Sequence, residues 1–228
     1  MSNNFFISLL DFFIPRFCPA CKQKLSVIEI SICDRCINSI TPAPSELIDL
    51  EFKKKFLYKN LVSGFTTPFV FEKDKELQDI IHSIKYYNKF GVGERLGEII
   101  AEKCEEKIQG WKIDLIVPIP LHQLKKVNRG YNQSFYIAKG LGKSLDIEVK
   151  QNILKRIKFT QTQTALTLEE RQENVEDAFK TRKINRVQGK NILLVDDVIT
   201  TGATVNECAK VLIYSGADKV YACSSAIA

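Results

Sequence analysis

Apolar positions along this chain fall into two kinds of run that alternate. In KELQDIIHSIKYY, Leu77, Ile80, Ile81, Ile84 and Tyr87 recur at helical spacing and predict one amphipathic helix, and GERLGEIIAEKC predicts a second. DLIVPIP and NILLVDDV are short apolar runs that read as buried strands. Each is followed by a helical pattern, SFYIAKGLGKSL and TVNECAKVLIYSG, and KVYACSSAIA reads as a last strand. In the later helix Val205, Cys208, Ala209, Leu212 and Ile213 form the core-facing stripe, and Gly216 supplies the stop. LVSGFTTPFVFEK, rich in β-branched and aromatic residues, predicts further strand material, possibly a pair. Short apolar strands alternating with amphipathic helices predict an α/β domain around a mostly parallel sheet. The chain shows neither an internal repeat nor a low-complexity tract.

Composition adds limits. A chain of 228 residues, 45% of them hydrophobic, buries a sizeable core in one ordinary domain plus a small appendage. The net charge of +6 favours a polyanionic or phosphorylated ligand without separating DNA from a nucleotide. The opening MSNNFFISLLDFFIPRFC is interrupted by Asp11 and stops at Pro15, short of the roughly 20 apolar residues a bilayer span needs. It also lacks a cationic start and a small-residue cleavage site. It predicts a short apolar helix docked on its own domain, no integral membrane span, and a cytoplasmic location. The prolines of TPAP mark a linker near residues 41–44, dividing the chain into a unit over 1–44 and a larger domain over 45–228.

Seven cysteines sharpen the smaller unit. Cys18 with Cys21 and Cys33 with Cys36 form two CxxC pairs, and two such knuckles complete a tetrahedral sulfur shell for a structural zinc ion. Four ligands leave no open position for catalysis. Free thiols or two disulfides are the competing readings. The alternating LSVIEISI between the pairs suits a short hairpin or strand, as in zinc ribbons. Cys104, Cys208 and Cys223 sit in apolar surroundings and read as core.

The larger domain holds a sharper signal in NILLVDDVITTGATV. Asp196 and Asp197 lie side by side at the end of a strand, ahead of a loop of threonines and glycine that opens a helix. In open α/β sheets ligands sit beyond the carboxyl ends of the strands, where helix N-terminal amides attract phosphate. Two carboxylates there suit the vicinal hydroxyls of a ribose whose 5'-phosphate lies in the adjacent loop, and a divalent cation would relieve their repulsion. An ordinary strand ending in a solvated acidic turn is the alternative. GLGKS at Gly140–Ser144 is no P-loop, because Ile137 stands where the first glycine belongs and the segment reads as a helix end.

ILLVDDVITTGAT closely resembles the phosphoribosyl pyrophosphate (PRPP) signature of type I phosphoribosyltransferases. The resemblance implies that fold. It gives Asp196 and Asp197 the ribose hydroxyls, and Thr200, Thr201, Gly202, Ala203 and Thr204 the 5'-phosphate, with Val198 and Ile199 beside them. VPIPLHQLKKVNRGYNQS resembles the pyrophosphate-loop region of one branch, the ComF family of competence proteins. The matching positions are Pro120, His122, Arg129, Asn132 and Gln133; Lys125 and Lys126 fit the electrostatics, and His122 could equally be a turn residue. RIKFTQTQTALTLEERQENVEDAF matches the same family at Arg156, Gln163, Arg171, Asn174 and Phe179. It falls where type I enzymes carry a flexible loop, whose closure would bring an arginine, Arg171, to the departing pyrophosphate. FIPRFCPAC…CDRC and IIHSIKYYNKFGVGERLG resemble the family too, so the likeness spans nearly the whole chain.

That resemblance implies displacement of pyrophosphate from PRPP through an oxocarbenium-like transition state, with magnesium bridging pyrophosphate and ribose oxygens. No residue pattern identifies the acceptor. It also implies a role in natural transformation, the import of single-stranded DNA, either with turnover or as a binder alone. Tyr86, Tyr87 and Tyr131 could stack on bases if exposed. A DNA-uptake helicase or another competence protein is a further implied partner, docked on the zinc module.

Overall fold

The computed structural model describes residues 13–73, 75–158 and 177–228, without the side chains of Lys125, Lys126 and Asn128. The apolar helix expected at the start of the chain lies outside the described residues, apart from Phe13 and the turn into Pro15. Among the described residues no helix is long and apolar enough to cross a membrane.

A parallel sheet organises the larger part. Its strands are β1 (Gly64–Thr66), β2 (Phe69–Val70), β3 (Leu115–Pro118), β6 (Asn191–Ile199) and β7 (Lys219–Ile227), in the order β1-β7-β6-β3. The segment expected as strand material, possibly a pair, does form two strands, and β1 and β2 do not pair with each other. Both run parallel to β7, at Phe65↔Ala222 and Phe69↔Ala226. The kink at Thr67 and Pro68 breaks one edge into two short pieces, and Thr67 Oγ1 donates to Ser224 O at 3.1 Å. Central strands β6 and β7 are buried along nearly all their length, as continuous apolar runs require when both faces are covered.

Seven helices among the described residues supply that cover: α1 (Asp34–Ser39), α2 (Ser45–Lys55), α3 (Glu76–Tyr86), α4 (Phe90–Gly110), α5 (Gln123–Arg129), α6 (Gln133–Leu145) and α7 (Ala203–Tyr214). On one face α3, α4 and α6 share a core with Leu193, Val195 and Cys223. On the other, α2, α7 and an antiparallel ribbon of β4 (Leu154–Arg156) and β5 (Phe179–Thr181) pack on Ile192, Leu194 and Ala222. Alternate strand residues thus feed two separate cores. Cys104, Cys208 and Cys223 are buried in them. Tyr87 leaves the predicted stripe of α3, because it is the cap residue and stands 65% exposed.

The cysteine unit is packed onto the same core and not suspended from it. Cys18, Leu25, Ile32, Cys36 and Ile37 join Leu77, Ile80 and Ile84 of α3. Residues 41–44 run along the sheet edge, with Val70 N donating to Thr41 O at 3.0 Å and Ala43 N to Pro68 O at 2.9 Å. The alternating stretch between the cysteine pairs does not become a strand. It is a series of bends with Ile28 and Ile30 exposed, and the antiparallel bridge nearby, Phe17↔Lys24, falls just ahead of it. Arg16 takes the place of a ladder there, its guanidinium donating to Glu29 O and Ser26 O.

Glycines explain the GLGKS motif, which lies inside α6. Helices α4 and α6 cross with their backbones in contact: a Cβ on Gly140 would sit 1.9 Å from Glu94 O, and one on Gly97 2.0 Å from Ile137 O. Both neighbours are backbone and cannot swing aside. Gly140→Ala is expected to cost about 3 kcal/mol or more, the upper end of overpacking, read as a lowered urea midpoint. An unchanged midpoint would refute this close crossing.

Candidate functional site

The acids lie within the C-terminal half of β6, where the pleat sends neighbouring side chains opposite ways. Each carboxyl is received by a different helix, α6 for Asp196 and α3 for Asp197. Asp196 Oδ1 accepts from Ser134 Oγ at 2.8 Å, at the first turn of α6, and from its neighbour's backbone, Asp197 N, at 2.9 Å. Asp197 Oδ1 accepts from Val198 N at 2.9 Å, while Asp197 Oδ2 faces Lys85 Nζ of α3 at 2.5 Å. The repulsion that adjacent acids imply is thus met by a lysine of the chain itself.

These surroundings drive the two carboxyls apart. Burial, with the Asp197 charge beside it, pushes Asp196 up to about 7 against the hydrogen bond from Ser134. Burial also works to raise Asp197, but the Lys85 charge and hydrogen bond outweigh it and hold Asp197 below its ordinary value. Lys85 in turn is raised: burial opposes its charge, and Asp197 more than compensates.

Beyond β6 the chain turns through Thr200–Gly202 into α7. Gly202 is the N-cap residue, at φ 76°, and a Cβ there would meet Phe56 at 2.9 Å and Lys55 at 3.1 Å. Only glycine suits both the left-handed backbone and that contact. Thr201 Oγ1 accepts from Ala203 N at 3.3 Å, and the other first-turn amides of α7 are those a helix leaves without internal acceptors. Lys55, buried at the end of α2, holds the loop from beneath by donating to Thr200 O and, at 3.1 Å, to Ala228 O. Asn206 Nδ2 donates to Lys55 O at 2.9 Å, closing α2 onto α7. Asp196, Val198, Ile199 and Thr200 through Thr204 line one shallow hollow of about 40 Å³.

The basic turn after β3 closes the other side. Asn132 caps α6, its Oδ1 accepting from Ser134 N at 3.3 Å and its Nδ2 donating to Ile119 O at 2.9 Å. Arg129 donates to the buried Gln133 Oε1 at 2.9 Å, and its guanidinium lies 5.4 Å from the Tyr86 ring centre. Pro120 lines a neighbouring cavity. His122 serves the turn, its Nδ1 accepting from Leu124 N at 3.2 Å and its backbone bridging to Arg156. Gln163, Arg171 and Asn174 lie outside the described residues. Tyr131 is no stacking platform: it is buried, and its hydroxyl donates to Ile84 O. Its neighbours Tyr86 and Tyr87 are exposed.

Sequence reasoning passed over Lys85, Lys55 and Ser134. Lys85 and Ser134 lie inside the family-like stretches IIHSIKYYNKFGVGERLG and VPIPLHQLKKVNRGYNQS, but nothing in either stretch ties them to acids so far along the chain, and only the folded arrangement brings them to Asp197 and Asp196.

Apart from this site, Cys18, Cys21, Cys33 and Cys36 bring four sulfurs within 4.8 Å of one another. Cys21 Sγ and Cys33 Sγ are 3.7 Å apart, close to the roughly 3.8 Å edge of a tetrahedron with metal–sulfur bonds of about 2.3 Å. The set fits a thiophilic metal ion such as zinc.

A family model for the phosphoribosyl transferase domain matches residues 87–226. Over 222 residues the chain is 29% identical to "Competence protein F" of Haemophilus influenzae, covering 93% of this chain and 96% of that one. It is 27% identical to "DNA utilization protein YhgH" of Salmonella typhimurium, over 91% of this chain and 95% of that one. It is also 26% identical to "Competence protein ComFC" of Bacillus subtilis, over 87% and 72%. The chain belongs to the phosphoribosyl transferase domain family and, within it, to the ComF branch, with the type I fold and a four-cysteine cluster at its N-terminal side.

The raised value at Asp196 has a measurable sign. Asp196 titrates at about 7 when folded against an ordinary 3.8, so its contribution to stability is intact below pH about 4 and is lost as pH climbs through about 7. Asp196→Asn removes that loss and is expected to stabilise the protein at pH 8 by about 1–2 kcal/mol, less than the full shift because the site is partly solvated. Urea unfolding of both proteins from pH 4.5 to pH 8 tests it. A stability difference that stays constant with pH would contradict the assignment.

Proposed function

We propose that this protein binds PRPP at the acid pair and the 200–204 loop and acts in competence, the handling of imported DNA. The observation that carries the reading is the shared hollow: Asp196 and the whole loop from Thr200 to Thr204 line it together, with the amide-rich start of α7 at one end. The competence role rests on the names of the full-length relatives. In this reading the loop holds the 5'-phosphate, the acids take the ribose hydroxyls, and Arg129, Asn132 and Gln133 shape the turn facing the pyrophosphate. Positioning of the sugar and stabilisation of charge at the departing pyrophosphate would supply the rate, with no covalent nucleophile. Magnesium, when bound with the ligand, would neutralise pyrophosphate oxygens. The acids are already served by Ser134 and Lys85 and do not by themselves form a closed site for it. Zinc in the cysteine cluster is structural.

Isothermal calorimetry tests the assignment. Asp196→Asn combined with Asp197→Asn should abolish PRPP binding while the protein keeps one zinc per chain by metal analysis. Undiminished PRPP affinity would end this reading.

A second reading, single-stranded DNA binding, is favoured by a specific feature. A cavity of about 390 Å³ beside the site is lined by Lys155, Arg156 and Arg182. A further one of about 320 Å³ is lined by Lys150, Lys183 and Arg186, with Phe135 at its wall. Both include Gln151 and Asn152, and this reading takes the two neighbouring cavities as one lane; among the described residues no carboxylate lines either. A cationic lane with an aromatic wall suits a single strand. Anisotropy of a labelled oligothymidine should show affinity falling with salt, and Arg182→Glu with Arg186→Glu should flatten that slope by about 0.7 for each phosphate no longer neutralised. Binding insensitive to salt, or unchanged in the double variant, would remove this lane.

A further inference from the structure

Lys85 is given no task by the PRPP reading, yet it makes the closest approach to the acid pair. It is the penultimate residue of α3, and its side chain is 26% exposed against 8% for Asp197. A surface lysine would extend its ammonium to water; this one turns it inward. Its helix is pinned at two places ahead of the ion pair. Tyr131 donates its hydroxyl to the carbonyl of Ile84, one residue before Lys85. Leu77, Ile80 and Ile81 share a core with Cys36 and Ile37 of the cysteine unit. Arg129 lies over the ring of Tyr86, the residue after Lys85 at the same helix end. The lysine is therefore built into the site by three separate parts of the fold.

We propose that Lys85 is a positioning residue, a resident counter-ion that orients Asp197 and compensates its charge, so that the ribose part of a ligand is received without a divalent cation. A buried carboxylate pair without such a partner must recruit a metal ion or a proton before it can accept sugar hydroxyls. With Lys85 in place the need for magnesium falls on the pyrophosphate group alone. The inference rests on the PRPP reading and deepens it, because it divides the ligand into a metal-independent and a metal-dependent half.

Ribose 5-phosphate, which carries the sugar and loop-binding phosphate but no pyrophosphate, separates the two. Its binding is measured by calorimetry to the wild-type chain, Lys85→Met and Lys85→Arg, each in magnesium and in EDTA. The wild type is expected to bind equally in both. Lys85→Met should bind about tenfold or more weakly in EDTA, a loss of roughly 1.4 kcal/mol or more, and regain most of it in magnesium. Lys85→Arg should stay close to wild type. Three results overturn the proposal while leaving the PRPP reading standing: wild-type binding that requires magnesium, Lys85→Met equal to wild type in EDTA, or a deficit in Lys85→Met that magnesium leaves unrepaired, as mere structural damage would. Wild-type protein that binds neither ribose 5-phosphate nor PRPP overturns both. Should Lys85→Met fold poorly, urea unfolding in the Asp197→Asn background decides. The lysine substitution should destabilise that background less than it destabilises the wild type, and equal losses in both backgrounds refute the pair.

Discussion

Two carboxylates at consecutive positions of a buried central strand are the constraint around which this molecule is arranged. Each carboxyl has its own hydrogen-bonding or ion-pair partner, while the Lys85 charge acts on both. Ser134 arrives from the first turn of α6 and Lys85 from the last turn of α3. Those two helices can reach the strand end only because α4 packs closely between them. The bare backbone at Gly97 and Gly140 lets α6 settle far enough in. A parallel sheet supplies the remaining requirement, since its strands all end on one side and leave an open edge where loops can gather.

The loop after the acids is held by a second, independent set of interactions on the opposite face of the sheet. Lys55 and Phe56, at the end of α2, lie beneath Gly202 and fix the turn from Thr200 into α7. The acid pair and the loop are thus supported from different cores, one under α3, α4 and α6 and the other under α2 and α7. A ligand bridging them joins two halves of the domain that the sheet otherwise separates. The cysteine unit takes part in the first of these cores through α3, which makes it a support for the helix carrying Lys85.

How much of this is legible in the sequence differs between elements. The helical stripe of α7, the stop at Gly216 and the buried runs of β3, β6 and β7 follow from local periodicity, and the structure keeps them. The loop and its acids are visible because the residues concerned are contiguous in the chain. Expectations fail or stay open where a residue's fate depends on a distant surface. Tyr131 is left open between a stacking and a packed role by its sequence, and only the fold decides for packing, with Ile84 O as its acceptor. Ile28 and Ile30 alternate as a strand would, but among the described residues no strand pairs with them, and the segment runs as bends with both side chains exposed. Tyr87 keeps the spacing of its helix, yet the helix ends before it.

By itself the sequence did not announce α1, α2, α5 or the β4–β5 ribbon. It determined the α/β class, the strands of the main sheet and the helices α3, α4, α6 and α7 between them, the two CxxC pairs and the place of the acid pair ahead of its loop. Each of these is written in neighbouring residues, where period and turn chemistry act over a few ångströms. Only the tertiary structure decided which groups compensate the acids, which face of the sheet supports the loop, and that six cations line two cavities that share Gln151 and Asn152. Lys85 and Asp197 are brought together by the packing of α3 against α4 and the sheet, and a charge pair closed across so much chain leaves no trace in the local order of residues.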